Sequence, residues 1–246
     1  SAGAVMCPSY RVTRNERDVT RGRANTLRLA ISGQLGPDAL ASDEMAKTLK
    51  LCVSCKACRR ECPTGVDMAK MKIEFLHHYR KKHGLRLKDR LVAFLPRYAG
   101  LASKLAPLLN LRDRIPGLPL LTEKLLGLSA RRYFDAENAR AAVAVLTAAG
   151  YRVHFATPPE DRPLCCGRTF LAAGLVDEAK AESRRMLEAL KPYIEAGVPV
   201  LGLEPSCLFT LRDEFRSMHP GAEADALAAK AMLLEEFLAA EAREGR

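Results

Sequence analysis

The chain has 246 residues, 48% hydrophobic and 28% charged, enough apolar material for one large core or two small ones. Collagen, a disordered tail and a mini-protein are excluded, and no run approaches the roughly 18 unbroken apolar residues of a spanning helix. The net charge of +10 is unevenly placed: residues 1–132 hold 26 Lys and Arg against 11 Asp and Glu, and residues 133–246 hold 13 against 18, which marks two modules of different character.

The opening Ser1-Ala-Gly-Ala-Val-Met-Cys7 lacks the basic leader and apolar centre of a secretory signal, so a reducing cytoplasm is expected and the cysteines need a use other than disulfides. From Thr13 to Ser32, Leu27, Ala30 and Ile31 fall at helical spacing among charges, which predicts one helix closed by Ser32-Gly33. A second helix starts near Ser42, with Glu44 as a capping candidate, and runs through Met45 and Leu49 into Cys52. After Cys62-Pro-Thr-Gly65, the spacing of Met68, Met71, Phe75 and Tyr79 predicts a helix over 67–83 that Gly84 ends. Residues 1–84 thus read as a helical module with a cysteine cluster between two helices.

Residues 85–132 form a Leu-rich connector broken at Pro96, Pro107, Pro116 and Pro119, which suits short amphipathic helices. Such stripes pack on a core or a partner, and they also suit peripheral contact with the inner face of a membrane. Residues 133–246 change period. A helix over 136–149, β-branched alternation over Tyr151 to Ala156, a helix over 176–196, an apolar run over Val198 to Leu203 and a last helix over about 223–242 argue for a small α/β layer.

The stretch richest in chemistry is Cys52-Val-Ser-Cys55-Lys-Ala-Cys58-Arg-Arg-Glu-Cys62-Pro63. Its spacing, C-x2-C-x2-C-x3-C-P, is the bacterial ferredoxin run that grips a 4Fe-4S cube. Structural zinc uses separated ligand pairs and would leave one of these thiols idle. In two-cluster ferredoxins the cysteine before Pro reaches to the other cluster, so Cys52, Cys55 and Cys58 need a fourth thiolate from a remote Cys-Pro. Cys7-Pro8 is the only other one in the chain. The expected set is therefore Cys7, Cys52, Cys55 and Cys58 on one cluster, with Cys62 left for a second whose other ligands this sequence lacks. Lys56, Arg59 and Arg60 would stand beside a negatively charged core, or form a solvated face.

A second set, Cys165-Cys166-Gly167 and Cys207 in Glu204-Pro-Ser-Cys, falls at loops beside strand ends. It reads as a site for bridging metal, as a reactive thiol group, or as plain packing cysteines. No catalytic triad, phosphate-binding glycine loop or paired-histidine zinc site is present, so no catalytic residue is assigned. The basic half prompts a nucleic-acid reading, but with 6% aromatic residues, no Trp and no zinc-finger spacing, no nucleic-acid partner is expected.

Met6-Cys-Pro-Ser-Tyr-Arg, Thr20-Arg-Gly-Arg-Ala-Asn, the Cys52 run, Leu164-Cys-Cys-Gly and Glu204-Pro-Ser-Cys together resemble the iron-sulfur half of FAD-linked D-2-hydroxy acid dehydrogenases. That family includes D-lactate and D-2-hydroxyglutarate dehydrogenases and the iron-sulfur subunit of glycolate oxidase. The resemblance implies an α-helical ferredoxin-like module followed by a small α/β cysteine-rich (CCG) domain of the kind shared with heterodisulfide reductases. It further implies a flavin (FAD) domain, elsewhere, that oxidises the D-2-hydroxy acid. This region would then relay electrons to a quinone, a cytochrome or an electron-transfer flavoprotein. The sequence departs from the family pattern in keeping only Cys7 of the first cysteine run, in having no cysteine between Cys62 and Cys165, and in placing Thr210 where the CCG motif ends in Cys. Segments are expected to be missing at both ends and near Arg132. The competing reading is a cluster- or zinc-containing basic binding or regulatory module without redox turnover.

Overall fold

The computed structural model describes residues 7–105, 115, 137–158 and 162–245; the readings made on residues 1–6, on the connector beyond Leu105 and on the stretch around Arg132 lie outside them. The described chain is mostly helical with one two-stranded sheet. It divides into two units, Ser1–Asp89 with Phe170–Val176, and Arg90–Thr169 with Asp177–Arg246.

In the first unit, α1 (Pro8–Thr13) opens on a proline, whose fixed φ suits a first helical turn, with Cys7 as its N-cap residue. A 3-10 turn over Glu16–Asp18 follows, and α2 covers Thr20–Ile31. The single helix expected from Thr13 is thus broken, because the Asn15 side chain accepts the Arg17 N–H at 3.0 Å and Val19 is extended. Gly22 permits the tight join between turn and helix: a Cβ there would lie 2.0 Å from the Glu16 carbonyl oxygen.

Helix α3 (Asp43–Lys50) is capped by Ser42, whose hydroxyl accepts the Met45 N–H at 3.2 Å. Glu44, expected near the cap, instead pairs with Lys47 at 2.6 Å. After α4 (Ala57–Glu61), α5 (Met68–His83) starts under the Asp67 carboxylate, which accepts the N–H groups of Ala69 and Lys70, and stops at Gly84. Leu27 and Ala30 of α2, Met45 and Leu49 of α3, and Met68, Phe75 and Tyr79 of α5 form one buried cluster. Each large side chain there contributes about 1.5–3 kcal/mol by leaving water. Cys52 and Cys58 pack against this cluster, so the cysteine loop is anchored to a solid floor. The short helices expected in the connector are present as α6 (Leu87–Ala93) and α7 (Leu95–Lys104). Pro96 sits in the first turn of α7 and opens that helix instead of breaking it.

The second unit holds α8 (Glu137–Ala148); α9 (Arg168–Ala173) falls mostly in the segment counted with the first unit, and α10 (Val176–Glu195) and β1 (Val200–Gly202) follow in the second. Next come α11 (Pro205–Phe209), a π-helical turn over Thr210–Glu214, α12 (Phe215–Met218), α13 (Ala222–Lys230), β2 (Ala231–Leu233) and α14 (Leu234–Arg243). Strands β1 and β2 run parallel, with Leu201 opposite Met232. The last helix expected over 223–242 is therefore two helices around a strand: ladder bonds to β1 override the helical propensity of Ala231-Met232-Leu233. Glu236 then accepts the Leu233 N–H at 2.8 Å and restarts the helix. The alternating run Tyr151 to Ala156 carries no strand assignment; Val153 and Phe155 line an apolar groove together with Val200 and Leu203. Glu182, with its side chain 2% exposed, is clamped by Arg97, Arg162 and Arg185.

Candidate metal centre

Cys52 leaves the end of α3, its N–H donating to the Leu49 carbonyl at 3.1 Å. The chain then takes two left-handed residues, Ser54 (φ 56°) and Lys56 (φ 57°), on either side of Cys55. This double reversal coils the loop before α4 carries Cys58 in its first turn. Cys7 reaches the same place from the start of α1. The result is one cavity whose walls include Cys7, Cys52, Cys55 and Cys58, with Met68 and Ala69 from α5 beside them. Cys62 does not line it. Its sulfur lies 3.1 Å from the Thr64 hydroxyl, and that hydrogen bond holds the Cys62 thiol below its ordinary value.

Arg23 lines the cavity together with Lys56, and Lys72 donates to a backbone carbonyl of its wall; local sequence pattern assigns a role to neither Arg23 nor Lys72. Arg23, 1% exposed, donates to the Cys7 sulfur at 3.2 Å, to the Ser9 hydroxyl at 2.8 Å and, through Nε, to the Thr48 carbonyl at 3.2 Å. Burial works to raise the Cys7 thiol, but hydrogen bonds from Ser9 and Arg23 outweigh it, and the thiol lies below its ordinary value. Lys72 of α5 donates to the Cys52 carbonyl at 2.6 Å. Burial, partly offset by the Cys52 thiol and reinforced by repulsion from Arg23, holds Lys72 below the ordinary lysine range. The overlooked signal was on α2 itself: Arg23, Leu27 and Ala30 occupy one buried face, and a cation on an apolar stripe demands a buried partner.

The donor set fits an iron-sulfur core. Four cysteines line one cavity, with Arg23 and Lys56 in the same lining and an Arg23 N–H on the Cys7 sulfur, the setting a multiply anionic inorganic group requires. Among the described residues no group of three His, Cys, Asp or Glu side chains is spaced to hold a single metal ion.

The second set is built differently. The buried Cys166 thiol is hydrogen-bonded to both Cys165 and Cys207. The bond from Cys166 is the main reason the Cys165 thiol falls to about 7, and the Gly167 N–H, 3.3 Å from its sulfur, adds to it. The same sharing lowers Cys207 and pushes Cys166 up, with burial adding to the rise. Gly167 (φ 80°) makes the corner: a Cβ there would lie 2.7 Å from the Ala179 carbonyl oxygen. Glu204 caps α11, accepting the Cys207 N–H at 2.7 Å, and fixes the third cysteine.

Residues 2–66 match the 4Fe-4S dicluster domain family. Over 87% of its length the chain is 21% identical to a D-2-hydroxyglutarate dehydrogenase of Haemophilus influenzae, and over 52% it is 26% identical to one of Escherichia coli. Over 32% of its length it is 32% identical to a probable glycolate oxidase iron-sulfur subunit of Bacillus subtilis. The chain spans 28%, 16% and 18% of these relatives. The Haemophilus alignment, at 291 residues, is longer than this whole chain of 246, so that relative holds internal segments that this chain lacks. No solved structure matches. Among the described residues no helix is long and apolar enough to cross a membrane. The start of the chain is thus similar to the 4Fe-4S dicluster domain family, and most of its length is similar to part of D-2-hydroxyglutarate dehydrogenases.

Proposed function

We propose that this chain is the electron-relay region of a flavin-dependent D-2-hydroxy acid dehydrogenase, a ferredoxin-like module followed by a CCG-type α/β domain. The observation that carries the reading is the convergence of Cys7, Cys52, Cys55 and Cys58 on one cavity, with Cys62 outside it. Those four residues would hold one 4Fe-4S cluster, and Cys62 would serve a second. Such a cluster, when bound, accepts and passes on one electron at a time. The chain's own residues do the rest. Met68 and Ala69 close the cavity on the α5 side, and Arg23 and Lys72 place positive charge and N–H groups beside Cys7 and Cys52. No residue here is assigned to substrate oxidation. That step belongs to an FAD domain, with D-2-hydroxyglutarate, D-lactate or glycolate as substrate. The acceptor would be a quinone, a cytochrome or an electron-transfer flavoprotein, with peripheral membrane contact if it is a quinone.

The test is anaerobic reconstitution with iron and sulfide, followed by metal analysis and the visible and EPR spectra before and after dithionite. The reading expects about four irons per completed site and a signal that dithionite switches on. Zinc in place of iron, or a cluster that survives Cys7→Ser but not Cys62→Ser, overturns the assignment. In the intact dehydrogenase, Cys55→Ser should leave flavin reduction by substrate in place and slow acceptor reduction at least tenfold.

A further inference from the structure

A fully buried arginine needs an anion, because moving an unpaired charge from water into a protein interior costs several kcal/mol. Arg23 is 1% exposed, and its hydrogen bonds go to a thiol, a hydroxyl and a backbone carbonyl. Among the described residues it makes no ion pair with a carboxylate. Its charge cannot be lost, since a guanidinium stays protonated in proteins. Lys72, also without a carboxylate partner among the described residues, donates to the backbone carbonyl of Cys52 and adds positive charge beside that wall of the cavity. Arg23 and Lys56 line the cavity and no carboxylate does, which leaves the thiolates and whatever they bind as the nearest counter-charge to Arg23.

Resting on the cluster reading above, we infer that Arg23 is a positioning residue that ties the remote ligand Cys7 to the Cys52 loop and sets the reduction potential of the cluster between them. The geometry gives it both jobs. One guanidinium nitrogen holds the Cys7 sulfur, a second holds Ser9 two residues on, and Nε holds the Thr48 carbonyl at the end of α3, the helix that delivers Cys52. Each nitrogen points at a different segment of chain, a fork that lysine, as a single point charge, cannot reproduce. The electrostatics point one way. A fixed positive charge and an N–H donor on a ligand sulfur favour the reduced, more negative state, and so raise the potential.

Three variants separate charge from geometry. Arg23→Gln keeps a donor and loses the charge; it should shift the redox equilibrium at least tenfold toward the oxidised cluster, a fall of about 59 mV for a one-electron couple. Arg23→Lys should hold most of the potential but release iron to a chelator several-fold faster, because Cys7 is no longer held. Ser9→Ala should leave the potential within twofold. Potentials come from EPR-monitored titration of the reconstituted protein. Should Arg23→Gln fail to fold, isotope-labelled arginine in the unaltered protein provides the second measurement: the reduced cluster should show a hyperfine coupling that changes with the arginine label. An unshifted potential in a folded, iron-loaded Arg23→Gln, or no arginine coupling, overturns the inference. Failure of the unaltered protein to take up iron would instead overturn the cluster reading on which it rests.

Discussion

Cysteines gather twice in this chain, and the two gatherings obey opposite rules. Around Cys52 the thiols line the walls of a cavity, and what lies close to them is positive: a guanidinium on Cys7 and an ammonium on the Cys52 carbonyl. Around Cys166 the thiols act on one another's acidity, the buried central one pushed up and its neighbours pulled down. Cavity-spaced sulfurs surrounded by cations call for an anionic core to fill the space. Thiols whose acidities are tuned by one another have the chemistry of reactive thiols, namely alkylation and oxidation. Spacing between sulfurs, more than their number, therefore separates a cofactor cradle from a reactive thiol group.

The contrast can be broken most severely by removing the metal. Iron chelation of reconstituted protein, or Cys52→Ala, should abolish the visible absorption and lower the melting transition of the first unit, since metal binding and folding are coupled in small metal modules. The second unit should melt unchanged; calorimetry resolves the two, and a shift of both would mean that the cysteine sites are not independent.

Next in size is the ion cluster of the second unit. Burial works to raise the Glu182 carboxyl, but hydrogen bonds from Arg97, Arg162 and Arg185 outweigh it and hold it below the ordinary range. Glu182→Gln leaves three guanidinium groups without their buried partner and should cost about 3–5 kcal/mol by urea denaturation. Because the folded carboxyl is depressed, its contribution is present above the ordinary value of about 4.3 and is lost as pH falls through the lower folded value. The unaltered protein should thus lose more stability on acidification than Glu182→Gln does.

A subtler change tests the thiol group directly. Cys166→Ala removes the donor that brings Cys165 to about 7. Alkylation of Cys165 by iodoacetamide at neutral pH should slow several-fold and its pH midpoint should rise toward the ordinary cysteine value. An unmoved midpoint would mean that the Gly167 N–H, not the neighbouring thiol, sets it. Smallest of all, Ser42→Ala removes the cap of α3 and should cost about 1 kcal/mol, with cluster uptake retained because Cys52 hangs from the other end of that helix.

Much of this was legible in the residues, and what was not has a physical cause. The Ser42 start, the Gly84 stop and the periodic apolar positions announced α3 and α5, because such signals act locally, whereas Asp67, read as part of the helix, proves to be its cap. The cysteine run announced itself because a cube constrains its ligand spacing tightly. Strand β2 was hidden because three residues cannot display a period, and its partner β1 lies some thirty residues earlier in the chain. Arg23 was hidden for a related reason. Its partners Cys7 and Thr48 lie 16 and 25 residues away, and no local pattern records a contact that only tertiary folding creates.

Ser54 and Lys56 hold left-handed backbones without being glycine. Each costs about 1–2 kcal/mol against a right-handed alternative, so the coiled loop is a sprung shape when nothing grips its thiols. Lys56 is itself a cleavage point for a trypsin-like protease, and Arg59 and Arg60 follow in α4. Cutting after Lys56, followed over time by mass spectrometry with and without iron, should therefore slow once the cavity is filled.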